Sequence, residues 1–155
     1  YFRNIIRQRA KTTAITQLET YLKGRLGLVI DSTGRDYDLI ARNVNMLKQI
    51  GYDCYMVFVN TSLEVALARN ARRERTIPEY ITTSSWNGVQ SNMGKFQRLF
   101  GMSNFLVVDN NKSDLELTTL TMNRVSKEVR KYMKTPIQSY IAKRWMASER
   151  KAKRR

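Results

Sequence analysis

The chain has no histidine, one cysteine, two prolines and no apolar run long enough to cross a bilayer. Each absence excludes something. Without His there is no imidazole to act as general base, nucleophile partner or metal ligand, and a single thiol cannot make good that loss at a transition-metal site. The lone Cys54 also rules out an intrachain disulfide, and its place in an apolar run reads as a small core residue of a reduced compartment. A membrane span needs roughly 18 consecutive apolar residues, so no membrane segment is expected. The first ten residues mix Arg3, Arg7 and Arg9 with isolated apolar side chains, which is not the pattern of a secretory signal. The chemistry left to the chain is that of carboxylate, hydroxyl, amide and guanidinium groups.

Acidic residues are also scarce, with 13 Asp and Glu against 28 Lys and Arg and a net charge of +15. The excess is uneven. From residue 124 to 155 twelve Lys or Arg face only Glu128 and Glu149, and the chain ends in Arg150, Lys151, Lys153, Arg154 and Arg155. Such a tail is either a solvated, solubilising extension or a contact for nucleic acid or another polyanion. The length of 155 residues suits one domain, and the 42% hydrophobic content is ordinary for a globular one. The chain opens at Tyr1 rather than Met, so a fragment or a processed product is expected.

Periodicity supplies the elements. Ile5, Ile6, Ile15, Leu18, Tyr21 and Leu22 predict a helix over 3–23, capped by Gly24. The apolar run 26–31 predicts a strand buried on both faces. Tyr37, Ile40, Val44, Leu47 and Ile50 share one face of a helix over 37–50, with Asp36 as cap and Gly51 as stop. A second buried strand is expected over 53–59. Thr61 and Glu64 have capping-box spacing for the helix that follows it. The pattern breaks at 71–76, Pro78 opens a helix over 79–100 that Gly88 and Gly94 weaken, and a third strand is expected over 104–109. Ser113 and Glu116 cap a long helix that stops at Thr135-Pro136. A last segment holds Ile137, Ile141 and Trp145 at four-residue spacing. Alternating strands and helices point to an α/β fold with a parallel sheet, with one body over 1–135 and a C-terminal helix and basic tail over 136–155.

Three constellations can carry chemistry. Asp31 stands at the end of an expected strand, where open α/β sheets bind ligands. There it can hold Mg²⁺ or orient a hydroxyl, or simply begin a turn, and Thr33, Gly34 and Arg35 beside it allow a phosphate to approach. Arg69, Arg72, Arg73 and Arg75 crowd the break between two helices, suited to neutralising charge in phosphoryl transfer or to a solvated helix end. Asp109, Asn110 and Asn111 follow another expected strand, as a turn or as amides beside a base. Trp86 and Trp145 can stack on a ligand but fit an apolar stripe as well. The phosphate-cradling sequence G-x-x-x-x-G-K-S/T is missing: the one Gly-Lys pair, Gly94-Lys95, lies in a helical pattern and is followed by Phe96.

The runs GLVIDSTGRD at 27–36, VFVNTSLEVALARNARRER at 57–75 with Ile77, Pro78 and Glu79 after it, and FLVVDNN at 105–111 resemble the zeta-toxin and polynucleotide-kinase-like P-loop ATPases. The likeness spans about residues 22–133 and is closest to zeta-toxin-like proteins of tailed bacteriophages. It implies an ATP- and Mg²⁺-dependent kinase in the cytoplasm of an infected host, or associated with the virion, that phosphorylates an anionic substrate such as a nucleotide-sugar or a nucleic-acid end. A catalytically inactive kinase-fold module with a structural or nucleic-acid-binding role is the alternative. Carried over, Asp31 is the acidic, metal-binding residue after the third strand. Arg69, Arg72 and Arg73 are the catalytic lid arginines, and Thr33, Arg75, Asp109 and Asn110 lie against the nucleotide. In that family the phosphate-binding loop follows a first strand in the middle of the sheet. That strand is absent here, so a partner chain or a missing N-terminal segment is expected to complete the sheet.

Overall fold

A computed structural model describes residues 2–111 and 115–154. The chain divides into two compact units, Tyr1–Ser32 and Thr33–Arg155. The first holds helix α1, Phe2–Lys23, followed by an extended stretch. Along α1, Thr12, Thr13, Thr16 and Thr20 each donate a hydroxyl hydrogen bond to the carbonyl four residues back, at 2.9–3.2 Å. The helix ends by bonding Arg25 N–H to Leu22 O and Leu26 N–H to Tyr21 O. This pair of bonds needs one left-handed residue, and that residue is Arg25, at φ 53°, rather than the expected Gly24.

The strand expected over 26–31 is not formed. These residues pair with no strand, and Val29 is fully exposed while Leu26 and Ile30 are about half exposed. An apolar, β-branched run favours a strand only when a neighbouring ladder takes up its backbone groups. Among the described residues this run has no such neighbour.

The second unit is an α/β body. Its elements run α2 (Tyr37–Gln49), β1 (Met56–Asn60), α3 (Leu63–Ala71), α4 (Glu79–Phe100), β2 (Phe105–Asp109), α5 (Leu115–Lys134) and α6 (Tyr140–Ala152). β1 and β2 pair in parallel from Met56 opposite Phe105 to Asn60 opposite Asp109. Since β2 is only five residues long, residues 53–55 have nothing to pair with, and β1 starts three residues later than its apolar run suggests. Among the described residues the other edge of β1 carries no ladder.

The core lies on one face of this pair. Val44, Phe58, Phe96, Phe100 and Phe105 are buried together, and Tyr37, Ile40, Val89 and Met93 pack around them. Phe96 is fully buried, its ring centroid 5.5 Å from Tyr37 and 6.4 Å from Phe58. α5 lies over the opposite face and covers it only in part, leaving a cavity of about 250 Å³ between Val57, Val59, Val108, Thr118, Met122 and Val125.

Cap chemistry explains several boundaries. Asp36 accepts the N–H of Leu39 at 2.9 Å to open α2. The N-cap of α3 is Ser62, whose Oγ accepts Val65 N–H at 3.3 Å, and not the neighbouring Thr61. α4 begins just after Pro78 and stops at Gly101, φ 80°. The expected Ser113 cap of α5 lies outside the described residues. The four-residue stripe Ile137, Ile141 and Trp145 is only partly covered, at 37–45% exposed, and Ala142 and Met146 are the more covered residues of α6.

Cys54 is half-buried, with Sγ 4.0 Å from Tyr52 O. Burial pushes its thiol pKa up, with a further push from Asp53 and an opposing pull from Lys48. The thiolate is disfavoured, in keeping with an inert, structural cysteine.

Gly51 ends α2 at φ 103°, and a Cβ placed there would lie 2.9 Å from the backbone nitrogen of Ala142 in α6. Left-handed strain and the collision add, so Gly51→Ala is expected to destabilise the protein by about 3 kcal/mol and lower Tm by roughly 10 °C. Gly94 carries the opposite sign. A Cβ there meets nothing closer than Arg98 Nη1 at 3.9 Å, so Gly94→Ala is expected to add about 1 kcal/mol through helix propensity. Thermal unfolding followed by circular dichroism reads both.

Candidate functional site

The carboxyl ends of β1 and β2 are tied into one polar framework. Asn110 N–H donates to Asn60 O at 2.8 Å, and Asn111 Oδ1 accepts Ser62 N–H at 2.6 Å. Asp109 Oδ1 accepts both the backbone N–H and the side-chain amide of Asn111, at 3.0 and 2.6 Å. The Asp109-Asn110-Asn111 segment is therefore a turn that locks the two strand ends to each other. It leaves the Asn110 side chain out of the network.

α4 braces this end of the sheet. Trp86 Nε1 donates to Thr61 O at 2.7 Å, and Gln90 Nε2 donates to Asn60 Oδ1 at 2.8 Å. The same stretch of α4 holds the loop before α2. Buried Asn92 donates its amide to Gly34 O at 3.2 Å and Arg35 O at 2.9 Å, while Arg35 reaches Ser85 Oγ at 3.3 Å. Gly34, at φ 74°, lies against Val89 and Phe96, and Gly88 lets Arg35 approach, its would-be Cβ being 3.4 Å from Arg35 Cγ. Loop 33–36 and strand end 60–62 thus flank the same two turns of one helix.

The arginine segment is positioned by the same helix. α4 begins at Glu79, seven residues before Trp86, so its first turns overhang the strand ends by about 10 Å at 1.5 Å per residue. Asn70, the buried residue near the end of α3, clasps the return of the chain: its Nδ2 donates to Ile77 O at 2.7 Å and its Oδ1 accepts Ile77 N–H at 3.1 Å. Both ends of the loop are fixed by one side chain. Arg72, Arg73 and Arg75 are exposed, and Arg69 is half-buried in the last turn of α3. Among the described residues, none of these four has a carboxylate within ion-pair distance.

The fold therefore brings together Thr33, Arg35, Asp109, Asn110 and the overhanging arginine loop at one end of the body. Asp31 is exposed and belongs to the first unit. Among the described residues no three acidic or thiol groups cluster as a metal site. Gly94-Lys95 is interior to α4, and Lys95 Nζ lies 5.4 Å from the Tyr37 ring centroid, which excludes that pair as a phosphate cradle. Of the polar side chains that build the site, Trp86 is visible in the sequence as an aromatic of the apolar stripe, whereas Asn70, Asn92 and Gln90 give little sign of their role. The one signal was an amide, Asn92, set between Val89, Met93 and Phe96 on an apolar face.

Residues 2–96 match a family model described as an AAA domain. Neither the curated proteins nor the solved structures gave a match.

Proposed function

The chain belongs to the AAA domain family, whose P-loop kinase-like domains generally bind nucleotide and Mg²⁺, and from that premise we propose that it is the lid-bearing part of an ATP-dependent phosphotransferase acting on an anionic acceptor. A nucleotide-sugar or a nucleic-acid end suits the charge, and the resemblance of the chain's segments to zeta-toxin-like phage proteins supports a role inside an infected host cell. The observation that supports this reading is the Asn70 clasp, which closes the arginine-bearing loop between α3 and α4, whose guanidinium groups make no ion pair among the described residues. Phosphoryl transfer asks little covalent chemistry of the protein and much charge neutralisation, and arginines on a short loop supply it.

The donor set fits a nucleotide. A bound ATP supplies the phosphoryl group. Arg72, Arg73 and Arg75 would meet its phosphates, with Arg69 supporting from α3, while Thr33 offers a hydroxyl and Asp109 and Asn110 stand on the base side. Mg²⁺ keeps several waters and rests on one or two carboxylates besides the phosphates, so a lone Asp31 suffices where no acidic cluster exists. Asp31 would hold that ion through water or orient the attacking hydroxyl. The 155 residues contain no G-x-x-x-x-G-K-S/T sequence, so the backbone cradle for the β- and γ-phosphates has to come from other residues, and these alone are expected not to transfer phosphate. The test is transfer from ATP by the protein completed with a cradle. Loss in Arg73→Ala and Asp31→Asn supports the assignment, and unchanged transfer in both removes it.

A further inference from the structure

Ten of the fifteen net positive charges lie in residues 124–155, and the fold gathers many of them onto two helix faces at the end of the sheet opposite the arginine loop. Tyr132 of α5 stacks on Tyr55, just before β1, with ring centroids 4.3 Å apart. The segment leading into α6 is fixed to the same end, where Gln138 N–H donates to Asp53 Oδ2 at 2.9 Å and Ala142 abuts Gly51. The length of β1, about 16 Å, separates this end from Asn60.

On α5, Thr118, Thr121, Met122 and Val125 line the cavity over the sheet. Lys127, Arg130, Lys131 and Lys134 recur at i, i+3, i+4 and i+7, and so fall on the opposite side, exposed and with Asn123 and Ser126 between them. Among the described residues, Lys131 alone of these four has an ion-pair partner, Glu128 at 3.8 Å. On α6, Lys143 and Arg150 share a stripe with Arg144 and Lys151 beside it, while Ala142 and Met146 take the packed side. The residues between the two halves of this stripe are Ala147 and Ser148, small enough to leave the helix surface open to close approach.

Solvation and the helix dipole do not account for this arrangement. The dipole favours cations in the last turn, which covers Lys131, Lys134, Arg150 and Lys151. It gives nothing to Lys127 or Arg130 in mid-helix, and Lys143 and Arg144 stand near the amino end of α6, where a cation is disfavoured. Like charges four and seven residues apart on one face repel, a cost that a polyanion laid along them offsets. The stripes run about 10 Å on α5 and about 12 Å on α6, several phosphate spacings of a nucleic-acid strand. Tyr140, 75% exposed, lies beside the α6 stripe as a surface on which a base can stack.

We propose that the basic faces of α5 and α6 form a docking surface for the phosphate backbone of nucleic acid, separate from the arginine loop and independent of phosphoryl transfer. The test uses the 155-residue chain and a fluorescent mixed-sequence 30-mer, as DNA duplex and as single strand, with anisotropy read across a salt series. Binding to either form is expected to fall with salt at a slope near −4 in log K against log salt, from about five phosphate contacts at roughly 0.7–0.9 each. The triple variants Lys127→Gln/Arg130→Gln/Lys134→Gln and Lys143→Gln/Arg144→Gln/Arg150→Gln should each weaken binding at least tenfold at 100 mM salt and flatten the slope, with circular dichroism unchanged. Arg73→Ala should leave binding as it was. No binding at low salt, wild-type affinity in both triple variants, or capture by anionic phosphatidylserine vesicles with none by DNA, overturns the proposal.

Discussion

Replacing Arg73 by alanine is expected to slow phosphoryl transfer by the cradle-completed protein by about 10³-fold while leaving its fold intact. The magnitude is that of an arginine which meets charge spread over the equatorial oxygens of the transferring group, and it is large because a low-dielectric, preorganised cation acts where water would otherwise have to reorient. Arg73 is exposed, so its removal opens no core cavity. Its backbone stays fixed by the bond from its N–H to Asn70 O at 3.2 Å. A loss confined to kcat, with KM for ATP changed little, identifies an interaction made in the transition state. Arg73→Lys should recover little, since an ammonium group cannot reproduce the planar fork of donors. Rapid-quench measurement of a single turnover separates this step from product release.

The largest effect on stability is expected at Phe96. Phe96→Ala should cost about 3–5 kcal/mol, a large share of the roughly 5–15 kcal/mol that holds a typical domain together. The ring is fully buried and touches three parts of the fold: Tyr37 of α2, Phe58 of β1, and the Gly34 turn, where a Cβ would lie 3.8 Å from Phe96 Cε2. With only two strands in the described sheet, few other contacts can take up the loss. Val59→Ala is the internal control: that side chain is 56% exposed on the α5 face, and about 1 kcal/mol or less is expected. Urea unfolding should show a lower midpoint for Phe96→Ala at an unchanged m-value.

What could be read in the sequence was what local chemistry decides alone. Helix α2 follows from its stripe, the Asp36 cap and the Gly51 stop. α4 follows from Pro78, its apolar period and Gly101. The parallel pair β1 and β2 follows from two apolar runs joined by helices. Where a neighbour decides, the sequence is silent. The run 26–31 has strand composition and no ladder partner, so Val29 ends in solvent. Thr61 and Ser62 offer the same hydroxyl, and only the backbone path after β1 selects Ser62 as the cap. In α6 the residue that meets Gly51 is Ala142, one position off the apolar stripe, a pairing the period does not reveal. The arginines of the site were visible as a cluster, but the side chains that position them were not. Asn70 acts across a loop, and Asn92 bonds to residues 57 and 58 positions away. Such pairings are set by the fold and leave no period in the sequence.

The central claim is that these residues supply the lid and the nucleotide side of a phosphotransferase site whose phosphate cradle lies elsewhere. Calorimetric titration of ATP with Mg²⁺ into the 155-residue chain and into the protein completed with a G-x-x-x-x-G-K-S/T segment tests it most directly. Binding by the completed protein that weakens at least tenfold in Arg72→Ala/Arg75→Ala, with no measurable heat from the 155 residues alone, is the predicted result. Equal binding by both proteins, or affinity indifferent to the two arginines, contradicts it.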